Sequence, residues 1–178
     1  VLAEYGQDFP EFIETFMPAD SVPYLADVAR LERLYVDAYH AAEAPVLGAA
    51  EWRAAMSREA ELPAAHLHLH PSVGILRSPF AVFSLWAAHQ GALDIGTVDP
   101  YRAEDALVVR PYSAVLVAPL RPGAGRFLEL LRDGAPFGVS ALIASKECPD
   151  LDLAAVLADL LRTGAGMAFD FAPVGNPP

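Results

Sequence analysis

Three histidines, His66, His68 and His70, alternate with Ala65, Leu67 and Leu69, and their type and spacing could hold a metal ion. Strict alternation is a strand pattern, and a strand places every second side chain on one face, within reach of a shared ion. The competing reading is a polar stripe turned to solvent, opposite buried Leu67 and Leu69. No acid or thiol adjoins the three histidines, which favours the stripe and leaves the metal site, and with it a small metal-dependent enzyme, as a third reading of the chain.

The second candidate is charge placed where core belongs. From Pro23 to Ala42, Tyr24, Val28, Leu31, Tyr35, Ala38, Tyr39 and Ala42 share one face of a 3.6-residue helix. Asp27 and Glu32 sit at the margins of that face, with Arg30 and Arg33 beside them. An ionised group buried without a partner costs several kcal/mol, a large share of a domain's stability. These four residues are therefore expected to organise the junction between the helical part and the sheet after it, or to face a partner protein. Asp27 and Arg30 are three residues apart, close enough on a helix to pair.

Other constellations carry less. Gly123-Ala124-Gly125 precedes a helix pattern, but Leu128 stands where a dinucleotide fingerprint has its third glycine, and no Lys-Ser/Thr pair follows. Cys148 lies in Lys146-Glu147-Cys148-Pro149-Asp150, an acidic setting that disfavours a nucleophilic thiolate. No serine-hydrolase elbow, metalloprotease helix or paired-carboxylate arrangement is recognisable. The chain reads as a binding component, not an enzyme, with no cofactor of its own.

Composition narrows the partner. Of 178 residues, 54% are apolar, enough for a substantial core. Net charge is −11, and −8 of it falls in residues 1–62, so the acidity is an N-terminal property. Nucleic-acid binding rests on Lys and Arg, and Lys146 is the only lysine, so a basic peptide or protein is the better-matched partner. No apolar run approaches the ~20 residues that span a bilayer, and no export signal opens the chain. With a single cysteine excluding an internal disulfide, a cytoplasmic protein without membrane contact is expected. Val1 in place of an initiator Met raises the expectation of a fragment or processed product.

The elements that must carry these residues follow from periodicity and punctuation. Aromatic spacing predicts a helix within Glu4 to Phe16, and Asp20-Ser21-Val22-Pro23 a cap for a helix running to about Ala42. A third short helix is expected from Glu51 to about Glu61. Beyond Pro63 the period becomes strand-like: Ala65 to His70, continued past Pro71 by Ser72 to Leu76, then a second strand over Phe80 to Ala87. Asp105 to Arg110 and Ser113 to Ala118 read as a hairpin. Three short helices follow: Gly125 to Arg132 closed by Asp133-Gly134, Pro136 to about Ser145, and one capped by Asp150 and closed by Thr163-Gly164. Met167 to Phe171 is a final strand. The expected fold is α+β: a helical part over 1–62, then a winged-helix-like domain over 63–178 with a small antiparallel sheet and three short helices. In that topology the helix over Leu151 to Leu161 would enter DNA, but it is apolar nearly all round and otherwise acidic, which argues against base reading.

Together, Tyr5-Gly6-x-Asp8-Phe9-Pro10-x-Phe12, Pro23-Tyr24-Leu25-Ala26-Asp27-Val28-Ala29-Arg30-Leu31-Glu32, Tyr39-His40-Ala41, His70-Pro71-Ser72, Trp86 and Val108-Val109-Arg110-Pro111 resemble the HvfC/BufC family. The resemblance spans nearly the whole chain. It implies a further helical region ahead of Tyr5, of which this chain would hold only the end. Members of this bacterial family have an N-terminal segment catalogued as a DNA-binding domain, so a DNA-binding protein or transcription regulator is the alternative function. The resemblance implies instead a peptide-modification chaperone. Such a partner presents the leader of a ribosomally made precursor peptide to a multinuclear non-haem iron-dependent oxidase, and the metal and catalysis belong to the oxidase. Leader recognition is expected in the winged-helix part, through an open strand edge that sequence does not locate.

Overall fold

Prolines and glycines set most of the element boundaries. The computed structural model describes residues 6–171. Within them the helices are α1 (Phe9–Thr15), α2 (Leu25–His40), α3 (Ala49–Met56), α4 (Val82–His89), α5 (Ala124–Arg132), α6 (Phe137–Glu147) and α7 (Leu153–Thr163). The strands are β1 (His66–Leu69), β2 (Gly74–Ser78), β3 (Glu104–Val109), β4 (Leu116–Pro119) and β5 (Gly166–Asp170). Pro10 stands in the first turn of α1, where its missing N–H is harmless. Glu4 and Tyr5, the start of the first expected helix, lie outside the described residues. The protein is α+β, with antiparallel sheets of two and three strands. No helix of the described residues is long and apolar enough to cross a membrane.

Contacts divide the chain into two compact units, and not at the expected cut after Leu62. One unit joins residues up to Ala42 with Ser72–Leu120; the other joins Glu43–Pro71 with residues from Arg121 on. The reason is the apolar face of α2. Leu31 and Ala38 bury against Val82, Ala106, Val108 and Val117, so the first helices belong with the three-stranded sheet. Gly74 allows the close approach: a Cβ there would stand 3.0 Å from the Leu34 side chain. In this unit β3 is central, pairing Gly74↔Val108 through Ser78↔Glu104 on one side and Ala106↔Pro119 through Val109↔Leu116 on the other. The expected hairpin is thus β3–β4.

Two expected strands take other forms. Phe80 to Ala87 is largely helical, as α4, with Val82, Leu85 and Ala87 buried. A short, continuously apolar run fits a buried helix as well as a buried strand. Here Glu104 accepts both the backbone N–H (2.9 Å) and the hydroxyl (2.7 Å) of Ser84, satisfying first-turn donors of the helix. Nor do Ser72 to Leu76 continue β1; Pro71 ends that run, and β2 pairs in the other sheet.

The second unit contains α3, β1, the three short helices α5 to α7, and β5. Strand β5 pairs antiparallel with β1 (His66↔Asp170, Leu67↔Phe169, His68↔Ala168), so the last strand returns to the first across the three helices. Phe127 meets Phe137 edge-on at 5.6 Å, and Trp52 meets Phe169 edge-on at 5.3 Å. Gly134 and Gly164 take the left-handed conformation after α5 and α7, as their positions predicted. The cap of α7 is Asp152 rather than Asp150: its carboxylate accepts the Ala155 N–H at 2.9 Å. The expected cap at Asp20 to Pro23 is also replaced, since Tyr24 occupies the cap position of α2 with no side-chain bond.

Candidate functional site

The α2 charges do not form one cluster. Asp27 is buried in the first turn, where one carboxylate oxygen accepts from Arg30 Nη1 at 2.6 Å and the other accepts from Ser78 Oγ at 2.6 Å. Ser78 Oγ in turn accepts the Phe80 N–H at 3.0 Å. Asp27 therefore ties the start of α2 to the end of β2. Arg30 reaches onward to Glu14 of α1. That hydrogen bond, opposed by partial burial and assisted by Asp27, raises the guanidinium above its ordinary value. Arg33 pairs with Asp37 at 2.7 Å one turn along α2. Glu32 is exposed and lines a groove between α1 and α2.

Arg110 anchors the other end of α2, a role that sequence reasoning missed. It is buried, with Nε donating to Ala38 O (2.9 Å), Nη2 to Ala41 O (2.6 Å) and Nη1 to Tyr112 O (3.0 Å). Its backbone N–H donates to Ser72 Oγ at 2.7 Å. An acid in the first turn and a base on the last carbonyls complement the helix dipole at both ends. The available signal was an arginine directly after the apolar run Ala106 to Val109.

The histidines diverge. His68 is exposed, its Nε2 2.8 Å from Asp170 Oδ2 across the β1–β5 pair, while His66 is half-buried. The register shifts between His68 and Leu69, and His70 lies beyond the strand, buried, with Nε2 3.3 Å from Ala44 O. The extra residue at that shift is Met167 of β5, so β1 keeps its alternation; what separates the third imidazole is the end of the strand at Leu69, ahead of Pro71, which leaves His70 in a buried site of its own. Among the described residues no three His, Cys, Asp or Glu side chains gather where they could hold a metal ion.

An open strand edge lies in the second unit. β5 bonds to β1 along one edge only. On its other edge Leu47 N–H donates to Gly166 O at 2.9 Å, and past that point a groove of about 380 Å³ runs between β5 and α3. Met167, Ala168, Phe169 and Phe171 line the strand side; Ala54 and Ala55 keep the helix wall low, with Glu51 and Arg58 at its ends. The Arg58 guanidinium lies 3.6 Å over the Phe171 ring and pairs with Glu61, whose carboxyl it holds below the usual range.

The helix that would read DNA in a winged-helix protein is α7, and its charges are satisfied internally. Asp159 accepts from Arg121 at 2.7 Å and from Arg162 at 3.3 Å. Partial burial pushes the Asp159 carboxyl up, but the hydrogen bonds from both arginines outweigh it and hold the group below its ordinary value. A depressed carboxylate stabilises the fold above its unfolded pKa and loses that contribution as pH falls through the folded one. Asp159→Asn is therefore expected to flatten the acid side of the stability–pH curve in urea titrations. The change near neutrality should stay under about 1 kcal/mol because the pair is partly exposed.

The chain matches no family model and no curated protein.

Proposed function

We propose that this protein is a non-catalytic partner that binds a ribosomally made precursor peptide and presents it to a multinuclear non-haem iron-dependent oxidase. The observation that carries the peptide-binding half is the free edge of β5 beside the low wall of α3. An extended peptide can add there as a strand, with main-chain hydrogen bonds giving affinity and alternate side chains settling on Met167, Phe169 and Phe171. The oxidase half rests on the HvfC/BufC resemblance, above all on the block from Tyr24 to Glu32. α7 is mostly apolar, and its single base, Arg162, is already paired with Asp159, which favours this reading over DNA binding.

The test begins with the gene neighbourhood, where this reading expects an oxidase gene and a short Cys-containing precursor; calorimetric titration with such a precursor and co-purification with such an oxidase follow. Filling the groove by Ala54→Trp, an exposed helix position, should weaken peptide binding at least about tenfold, or about 1.4 kcal/mol, with the circular dichroism unchanged. Hydrogen exchange in the complex should protect the amides of β5. Protection confined to β2 or β4, the edges of the other sheet, would move the site. No binding to peptide or oxidase, together with steeply salt-dependent binding to duplex DNA, would return the protein to the DNA-binding class.

A further inference from the structure

The groove beside β5 is charged unequally at its two ends, and that narrows the peptide it can take. At one end the chain itself begins an added strand. Leu47 N–H donates to Gly166 O, so the free edge starts past that point and runs from Met167 to Phe171, room for about five residues of an extended chain. Glu51 stands at this same end. It lies in the first turn of α3 and lines the groove, with Oε2 so near Gly48 that a Cβ there would meet it at 2.7 Å. Its place in the first turn suits an acid, yet the carboxylate has no hydrogen-bond or ion-pair partner among the described residues. Arg58 stands at the other end, over the Phe171 ring, and there Glu61 already engages it, accepting from Nε at 3.1 Å and from Nη2. Between them Leu47, Ala54, Ala55, Met167 and Phe169 make the walls apolar.

We propose that this groove selects a short extended peptide segment carrying two apolar side chains two residues apart and, two residues beyond them, a Lys or Arg that meets Glu51 at the Gly166 end. The inference rests on the reading of β5 as a peptide-binding edge and specifies its ligand. Alternate residues of an added strand share one face, so the two apolar side chains and the base all turn towards α3. The unmatched acid sets the position of the base, because the one arginine of the groove is held by Glu61. An acidic side chain at the same position would meet Glu51 as a like charge. A second copy of this chain, paired through its own β5, would bring only that engaged arginine and leave Glu51 unmatched.

The probes are fluorescently labelled, end-blocked peptides of sequence Val-Thr-Val-Thr-Lys and Lys-Thr-Val-Thr-Val, one for each strand direction, with counterparts carrying Gln or Glu in place of Lys. They are titrated against the 178-residue chain at low salt. One of the Lys peptides should bind about three- to fivefold more tightly than its Gln counterpart, the range of an exposed ion pair, and its Glu counterpart should bind most weakly. Glu51→Gln should abolish the preference for Lys over Gln, and Glu51→Arg should turn it into a preference for Glu. Asp150→Asn, an exposed acid of the same unit that does not line the groove, should leave the preference intact. Ala54→Trp should weaken every peptide, and circular dichroism of each variant verifies folding. Equal affinity for the Lys, Gln and Glu peptides would overturn the selection and leave the peptide-binding edge standing. So would a precursor that protects the β5 amides while none of these peptides binds; failure of precursor and peptides alike would end both readings. Loss of the preference in Asp150→Asn, or a dimer in sedimentation that Ala54→Trp dissociates, would also overturn the proposal.

Discussion

Arg110→Ala is expected to destabilise the first unit by about 3–5 kcal/mol, the largest loss from any single substitution considered for this chain. The arginine donates to three carbonyls, of Ala38, Ala41 and Tyr112, and two of them belong to the end of α2. Truncation leaves those acceptors facing apolar surroundings, at about 1–3 kcal/mol for each that water does not reach. Arg110→Lys should recover little, because a single ammonium cannot span acceptors that a planar fork reaches together. The measurement is simplified by the tryptophans: Trp86 lies in the first unit, against Tyr35 of α2, and Trp52 in the second. In a Trp52→Phe background, urea unfolding followed by fluorescence reports on the unit that Arg110 anchors. A loss below about 1 kcal/mol would show that the carbonyls are satisfied some other way.

What could be read from sequence, and what could not, divides along physical lines. The β3–β4 hairpin and the glycine-closed helices α5 and α7 were legible because their signals are local: alternation, turn residues, a left-handed cap. α4 was not, since Phe80 to Ala87 is apolar all round and periodicity is silent when every face is buried. The unit boundaries were not legible either. They depend on α2 burying its apolar face on strands that follow it by many residues. The same holds for charge. Asp27 stood out as an acid at the edge of an apolar face, yet its partner Ser78 is 51 residues away in sequence and has no local mark. His66, His68 and His70 show the converse: a strong local pattern that outruns its element, since β1 ends at Leu69 ahead of Pro71 and His70 is buried beyond it.

Asp27→Ala is expected to cost about 2–3 kcal/mol, less than Arg110→Ala because Arg30 is partly exposed and keeps Glu14 as a partner. The loss comes mainly from the Ser78 hydroxyl, which is left without its acceptor in a buried site, and from the acid that complemented the start of α2. Asp27→Asn should cost less, since the amide oxygen can still accept from Ser78 while the charge facing Arg30 is gone. The double variant Asp27→Ala with Ser78→Ala should lose less than the sum of the two, by about 1 kcal/mol, because each single change strands the other's polar group. Strictly additive losses in the double variant would show that neither group depends on the other, and that the tie from Asp27 to Ser78 carries none of the fold's stability.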